Sequence, residues 1–90
     1  MVRKGAFGGH VVASKEIGRF SVEIDILYGL YVTDNRTNAI YICNLYHEYD
    51  DLDNNRQQRK YMKKIDYLYN RLNNEDIIKR YIVKGRFEVV

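Results

Sequence analysis

The chain of 90 residues has no proline, no tryptophan, one cysteine and two histidines. A lone cysteine, Cys43, excludes an internal disulfide. His10, His47 and Cys43 lack the number and spacing of ligands that a zinc module needs. Cys43 and His47 stand four apart across the end of an expected strand, so they do not read as a nucleophilic pair, and Cys43 reads as a small buried apolar residue. No apolar run approaches the ~18–20 residues of a membrane span. Two basic residues near the start, Arg3 and Lys4, are followed by glycines rather than by an unbroken apolar stretch, so no export signal is expected and the cytoplasm is the expected compartment. In place of the missing types the chain is rich in Tyr, with nine, and in Asn, Ile and Lys. The codons of these residues are AT-rich, which points to an AT-rich bacterial or viral genome.

The length allows one domain with a modest core, and the apolar fraction of 46% is that of a globular chain. The net charge of +3 hides a strong asymmetry. Residues 1–19 carry four basic and one acidic side chain, residues 20–53 one basic and seven acidic, and residues 54–90 ten basic and four acidic. An acidic middle and a basic C-terminal part bear on partners more than the total does.

The order of patterns predicts an α+β domain. Residues 1–9, with three glycines in five positions, read as a flexible basic arm, and residues 10–90 as the single domain. His10 to Ser14 is a short β-branched run, with a turn near Ile17-Gly18. From Phe20 to Tyr28, Phe20, Val22, Ile24 and Ile26 alternate with Ser21, Glu23, Asp25 and Leu27, which places one face on a core and the other mostly in water. Gly29 interrupts the pattern, Leu30 to Thr33 stays extended, and Asp34 to Asn38 is a loop in composition. Ala39 to Leu45 is apolar enough for a central strand. Period two is lost at Tyr46. A main helix follows from Asn54 to Asn73, with a shorter one from Asn74 or Asp76 through Ile82, stopped by Gly85, and Arg86 to Val90 can return to the sheet as a last strand. The expectation is a small antiparallel sheet of three to five strands packed on one main amphipathic helix.

At 100° per residue, Tyr61, Ile65, Leu68 and Leu72 share a narrow sector of the main helix, which Met62 and Tyr69 widen to one side. Arg56, Arg59, Lys60, Lys63, Lys64 and Arg71 share another, with Tyr67 among them. Asp66 is the only acid between Arg56 and Arg71, so few i,i+4 pairs can neutralise the stripe. Three readings stay open: a solvated face, a face turned onto the acidic middle segment, or a face that meets phosphates or an acidic protein surface.

The densest polar cluster runs from His47 to Asn55. Asp51, Asp53 and Asn55 match the first three ligand positions of a calcium-binding loop, but Arg56 stands where glycine is required and Met62 where glutamate is required. No metal site is expected there. The acids read as the cap of the main helix, with Asp53, Asn54 or Asn55 as N-cap, and Glu48, Asp50, Asp51 and Asp53 as a second, acidic contact surface. The segment Gly5-Ala6-Phe7-Gly8-Gly9 matches neither dinucleotide nor phosphate-loop patterns.

With no catalytic constellation and no cofactor motif, the expectation is a non-enzymatic binding protein without cofactor. Its size, tyrosine content and opposed charges suit a phage or mobile-element protein that binds and inhibits or modulates a host nucleoprotein machine, a CRISPR effector nuclease being one concrete form. The alternative is a regulator that binds nucleic acid directly through the basic helix face formed by Arg56, Arg59, Lys60, Lys63, Lys64, Tyr67 and Arg71. Either fits a monomer or a homodimer.

Overall fold

The computed structural model describes residues 3–4, 10–25, 29–43 and 55–89. They form one antiparallel meander with two helices before the last strand: β1 (Arg3–Lys4), β2 (His10–Ile17), β3 (Phe20–Asp25), β4 (Gly29–Asp34), β5 (Ile40–Cys43), α1 (Asn55–Arg71), α2 (Glu75–Val83) and β6 (Phe87–Val89). The strands lie in the sheet in chain order. The α+β architecture expected from the sequence is therefore the one observed. Arg3 and Lys4, read as part of the arm, pair with Val11 and His10.

The first long strand runs three residues further than its β-branched run suggests. Lys15, Glu16 and Ile17 pair with Val22, Ser21 and Phe20, and only Gly18 and Arg19 are left to turn the chain. Neither a lysine nor a glutamate is a strong strand former, so pairing across a tight hairpin decides their state here. A bulge between Val11 and Ala13 breaks the ladder near the sheet edge. β5 pairs with β4 on one side and β6 on the other, the interior position its apolar composition implied.

Cross-strand partners share a face. Ile24 opposite Leu30, Val22 opposite Val32, and Cys43 opposite Phe87 build the face that carries the core. Both helices reach it: Tyr61 and Ile65 of α1, Leu72 directly after it and Ile78 of α2 belong to the same buried cluster. Each aliphatic side chain buried there contributes about 1.5–3 kcal/mol relative to exposure. Leu68 and Tyr69 pack against the cluster half-buried. Met62, expected to widen this sector, is 43% exposed. At 100° per residue it lies about 60° from Ile65 on the helix circumference, where the helix surface turns away from the sheet.

The second face of the sheet also departs from expectation. Glu23 and Asp25, assigned to the watery side, are only 8% and 2% exposed. Glu23 lies opposite Tyr31, which is fully buried, and Asp25 lies opposite the buried Val11. Strand alternation identified the face correctly, but a face can be covered by neighbours whose identity alternation does not reveal.

One ion pair fixes the end of this sheet. Arg19 Nε donates to Asp34 Oδ1 at 3.0 Å, and Arg19 Nη2 donates to Asp34 Oδ2, a two-pronged contact. Asp34 also accepts from the Arg36 amide at 2.9 Å. The Arg19 side chain is thus held between the β2–β3 and β4–β5 turns. Hydrogen bonding from Arg19 holds the Asp34 carboxyl below the usual carboxylate range, while burial alone would raise it.

The second helix is framed by capping groups. Asn74 Oδ1 accepts from the Ile77 amide at 3.0 Å, and Glu75 and Asp76 occupy the first turn, where the macrodipole favours acids. At the other end Arg86 N donates to Tyr81 O at 3.0 Å and Gly85 N to Ile82 O at 3.1 Å. This is the paired pattern of a Schellman ending, and Gly85 supplies the positive φ of 75° that it needs.

Two glycines set up a comparison. A Cβ on Gly85 would meet nothing within 4 Å, so Gly85→Ala carries only the cost of a left-handed backbone, about 1–2 kcal/mol. A Cβ on Gly29, at φ 81°, would in addition collide with Tyr61 Oη. Gly29→Ala is expected to lower the unfolding free energy clearly more than Gly85→Ala in urea denaturation; equal losses would contradict the close packing of α1 on β4.

The Asp34 pair predicts a pH dependence. A carboxyl whose folded pKa is depressed contributes stability that is fully present above its unfolded value near 3.8 and is lost as pH falls through the lower, folded value. Asp34→Asn is therefore expected to be less stable than the parent at neutral pH, with the difference shrinking below about pH 4. A difference that does not narrow in acid would show that Asp34 acts by shape and not by charge.

Candidate functional site

The outward side of α1 is built from the same periodicity that buries its inner side. Once Tyr61, Ile65 and Leu72 are fixed on the sheet, the residues opposite them have to point away. Arg56, Arg59, Lys60, Lys63, Lys64, Tyr67 and Arg71 are all exposed, and Tyr67 is 64% exposed. The structure thus brings together on one face all seven residues singled out in the sequence. Among the described residues, the side chains of Arg59, Lys60, Lys63 and Arg71 have no ion-pair partner. The acidic set Glu48, Asp50, Asp51 and Asp53, with the capping acids and Asn54, lies outside the described residues. Asn55, one of the three N-cap candidates, is the first helical residue.

One long side chain holds the C-terminal end of α1 in this orientation. Lys15, on β2, extends to the helix, where its Nζ donates to the Tyr69 carbonyl oxygen. The same Nζ stands 4.3 Å from the centre of the Tyr69 ring. A cation at the last turn satisfies a carbonyl that the helix cannot and complements the macrodipole. Burial pulls the Lys15 pKa down, and burial, then the charge of Glu23, pushes the Tyr69 hydroxyl up. Nothing in the sequence links residues 54 apart, so this interaction was not legible there.

A shallow groove lies on the flank between the core side and the basic side. It is lined by Asn55, Gln58, Arg59, Met62, Lys63 and Asp66. It sets the exposed Met62 beside two cations, two amides and one carboxylate. Among the described residues, no three of histidine, cysteine, aspartate and glutamate gather as metal ligands would. No described helix is long and apolar enough to cross a membrane.

The basic surface continues past the end of α1. Arg71 also lines a concavity with Arg80, Lys84 and Arg86, which follow in and after α2. The signal in the sequence that could have found this grouping is Gly85, which marks where the chain folds back. No family model, no curated protein and no solved structure matches this chain.

The division of α1 into an inner and an outer side has a direct check. Tyr67→Ala is expected to leave stability within about 0.5 kcal/mol of the parent, as for surface positions in general. Tyr61→Ala, from the buried cluster, is expected to cost about 3–5 kcal/mol. Comparable losses at the two positions in chemical denaturation would place Tyr67 in a packed environment.

Proposed function

We propose that this is a non-enzymatic binding protein that docks through the outward face of α1, with a nucleoprotein complex of a host cell as its target. The observation that carries the reading is the exposed set Arg59, Lys60, Lys63 and Arg71 around the exposed Tyr67, with Asp66 the only acid in the helix. Cations without an ion-pair partner among the described residues suit the phosphates of a bound nucleic acid, and an exposed tyrosine supplies a rigid surface with a polar tip. Helix stability favours Arg71, in the last turn, but does not account for the rest of the pattern: α1 has no acid in its first turn and places Arg56 there, against the preference of the macrodipole. Modulation or inhibition of the target, an RNA-guided nuclease being one form, follows from occupying its nucleic-acid surface and requires no chemistry from this chain.

A second reading, direct binding of free nucleic acid by a small regulator, is favoured by the same Tyr67, because an aromatic among cations suits stacking on an unpaired base. Binding measured against bare oligonucleotides and against an assembled nucleoprotein complex separates the two readings.

The triple variant Arg59→Gln, Lys63→Gln, Lys64→Gln tests both. The parent is expected to bind with an affinity that falls as salt rises. The variant should bind more weakly, with a slope of log K against log salt that is shallower by about 0.7–0.9 for each phosphate it no longer neutralises. Unchanged affinity and slope in the variant, or no salt-sensitive binding to bare or assembled nucleic acid by the parent, would remove the basic face from the function.

A further inference from the structure

We propose that the concavity lined by Arg71, Ile77, Arg80, Tyr81, Lys84 and Arg86 is a binding site for a phosphoryl group. Four of its six lining residues are cationic and none is acidic. Among the described residues, none of these four side chains has a hydrogen-bond or ion-pair partner. Like charges gathered around one hollow repel each other, and an anion seated among them removes that cost.

The backbone explains how the cations come together. Gly85, at φ 75°, reverses the chain at the end of α2, and the Arg86 amide is tied back to the Tyr81 carbonyl. Lys84 and Arg86 therefore return beside Arg80 and Tyr81 instead of running on. Arg71 reaches the same hollow from the last turn of α1.

The plain alternative is that these cations serve the C-terminal end of α2 by complementing its macrodipole. Three of the four last carbonyls that would draw them are already engaged. Arg80 O accepts from Lys84 N at 2.9 Å, Tyr81 O from Arg86 N and Ile82 O from Gly85 N. Backbone amides, not side chains, close this helix. The guanidinium groups are left with their planar donor forks open, the geometry that matches phosphate in pairs of hydrogen bonds.

The size and wall of the site limit what it takes. The hollow holds about 210 Å³, less than the roughly 300–1,000 Å³ of whole small-molecule sites. It admits a phosphoryl group and part of what that group esterifies. Tyr81 and Ile77, both half-buried, give one wall an apolar surface against which a sugar or base edge can lie. The site sits where the basic face of α1 ends, since Arg71 belongs to both. Arg56 to Arg71 spans about 22 Å at 1.5 Å per residue. The phosphoryl group can thus be the terminal phosphate of a strand lying along α1, or that of a free mononucleotide.

Two paired variants and three probes test this. The probes are a nucleoside 5′-monophosphate, a single-stranded oligonucleotide with a 5′-phosphate, and the same oligonucleotide without it, with binding read by calorimetry or fluorescence anisotropy. The pocket variant is Arg80→Gln with Arg86→Gln, and the α1 variant is Arg59→Gln with Lys63→Gln. All four positions are exposed, and unchanged unfolding midpoints verify that both proteins fold. The pocket variant is expected to bind the monophosphate or the phosphorylated strand about tenfold or more weakly, the scale of one charge-assisted pair. The α1 variant should keep its affinity for the monophosphate. A preference of the parent for the phosphorylated strand assigns the site to a strand end, and monophosphate binding without that preference assigns it to a free nucleotide. If the pocket variant binds every probe as the parent does, the proposal is overturned, whatever the α1 variant shows. If neither oligonucleotide binds but the monophosphate does, and only the pocket variant fails to hold it, the phosphoryl site stands while nucleic-acid docking by α1 falls.

Discussion

Ile65 of α1, Leu72 at its end, Ile78 of α2 and Val22, Leu30 and Val32 of the sheet form a layer from which water is excluded, and the rest of the molecule is arranged by it. A chain of this length buries too little surface to tolerate a poorly seated helix. The layer fixes the rotation of α1 about its own axis, and the rotation decides which side chains face outward. The Tyr61 hydroxyl against Gly29, in the second turn, and the Lys15 ammonium at the Tyr69 carbonyl, in the last turn, hold the helix in that setting. The exposure of the cations is thus a mechanical consequence of aliphatic packing on the other side of the same helix.

Charge is distributed by depth as well as by position in the chain. Glu23, Asp25 and Asp34, three acids of the negative middle segment, are buried, and Asp34 is engaged by Arg19. The charge of Asp34 is thereby offset by that of Arg19. The cations of α1, and Arg80, Lys84 and Arg86 beyond it, are exposed. A net charge of +3 therefore understates how basic the helical side looks to an approaching polyanion. Long-range attraction depends on this surface arrangement more than on the total.

The parts of the structure that were legible in the sequence are those set by local periodicity. Phe20-Val22-Ile24 reads as one face of a strand, Tyr61-Ile65-Leu72 as one side of a helix, and Asn74 and Gly85 as the ends of the second helix, because each depends on neighbours within a turn or two. The parts that were not legible depend on distant residues. Lys15 and Glu16 are strand because a tight turn aligns them with Val22 and Ser21. Glu23 and Asp25 are buried by residues that strand alternation cannot name. Met62 lies outside the core because its place on the helix circumference carries it off the edge of the sheet. The seven residues of the α1 face were readable for the same reason as the helix itself. The cations after Arg71 were not, because only the reversal at Gly85 brings them back to one hollow.

If the outward face of α1 meets the partner, backbone amide shifts in nuclear magnetic resonance will map to it. A ¹⁵N-labelled protein titrated with a single-stranded oligonucleotide at low salt should show saturable shifts concentrated between Arg56 and Arg71, strongest around Lys63 and Tyr67, while β5 stays unperturbed. Shifts centred on the sheet with α1 silent, or no saturable shift at any position, would contradict docking by that face.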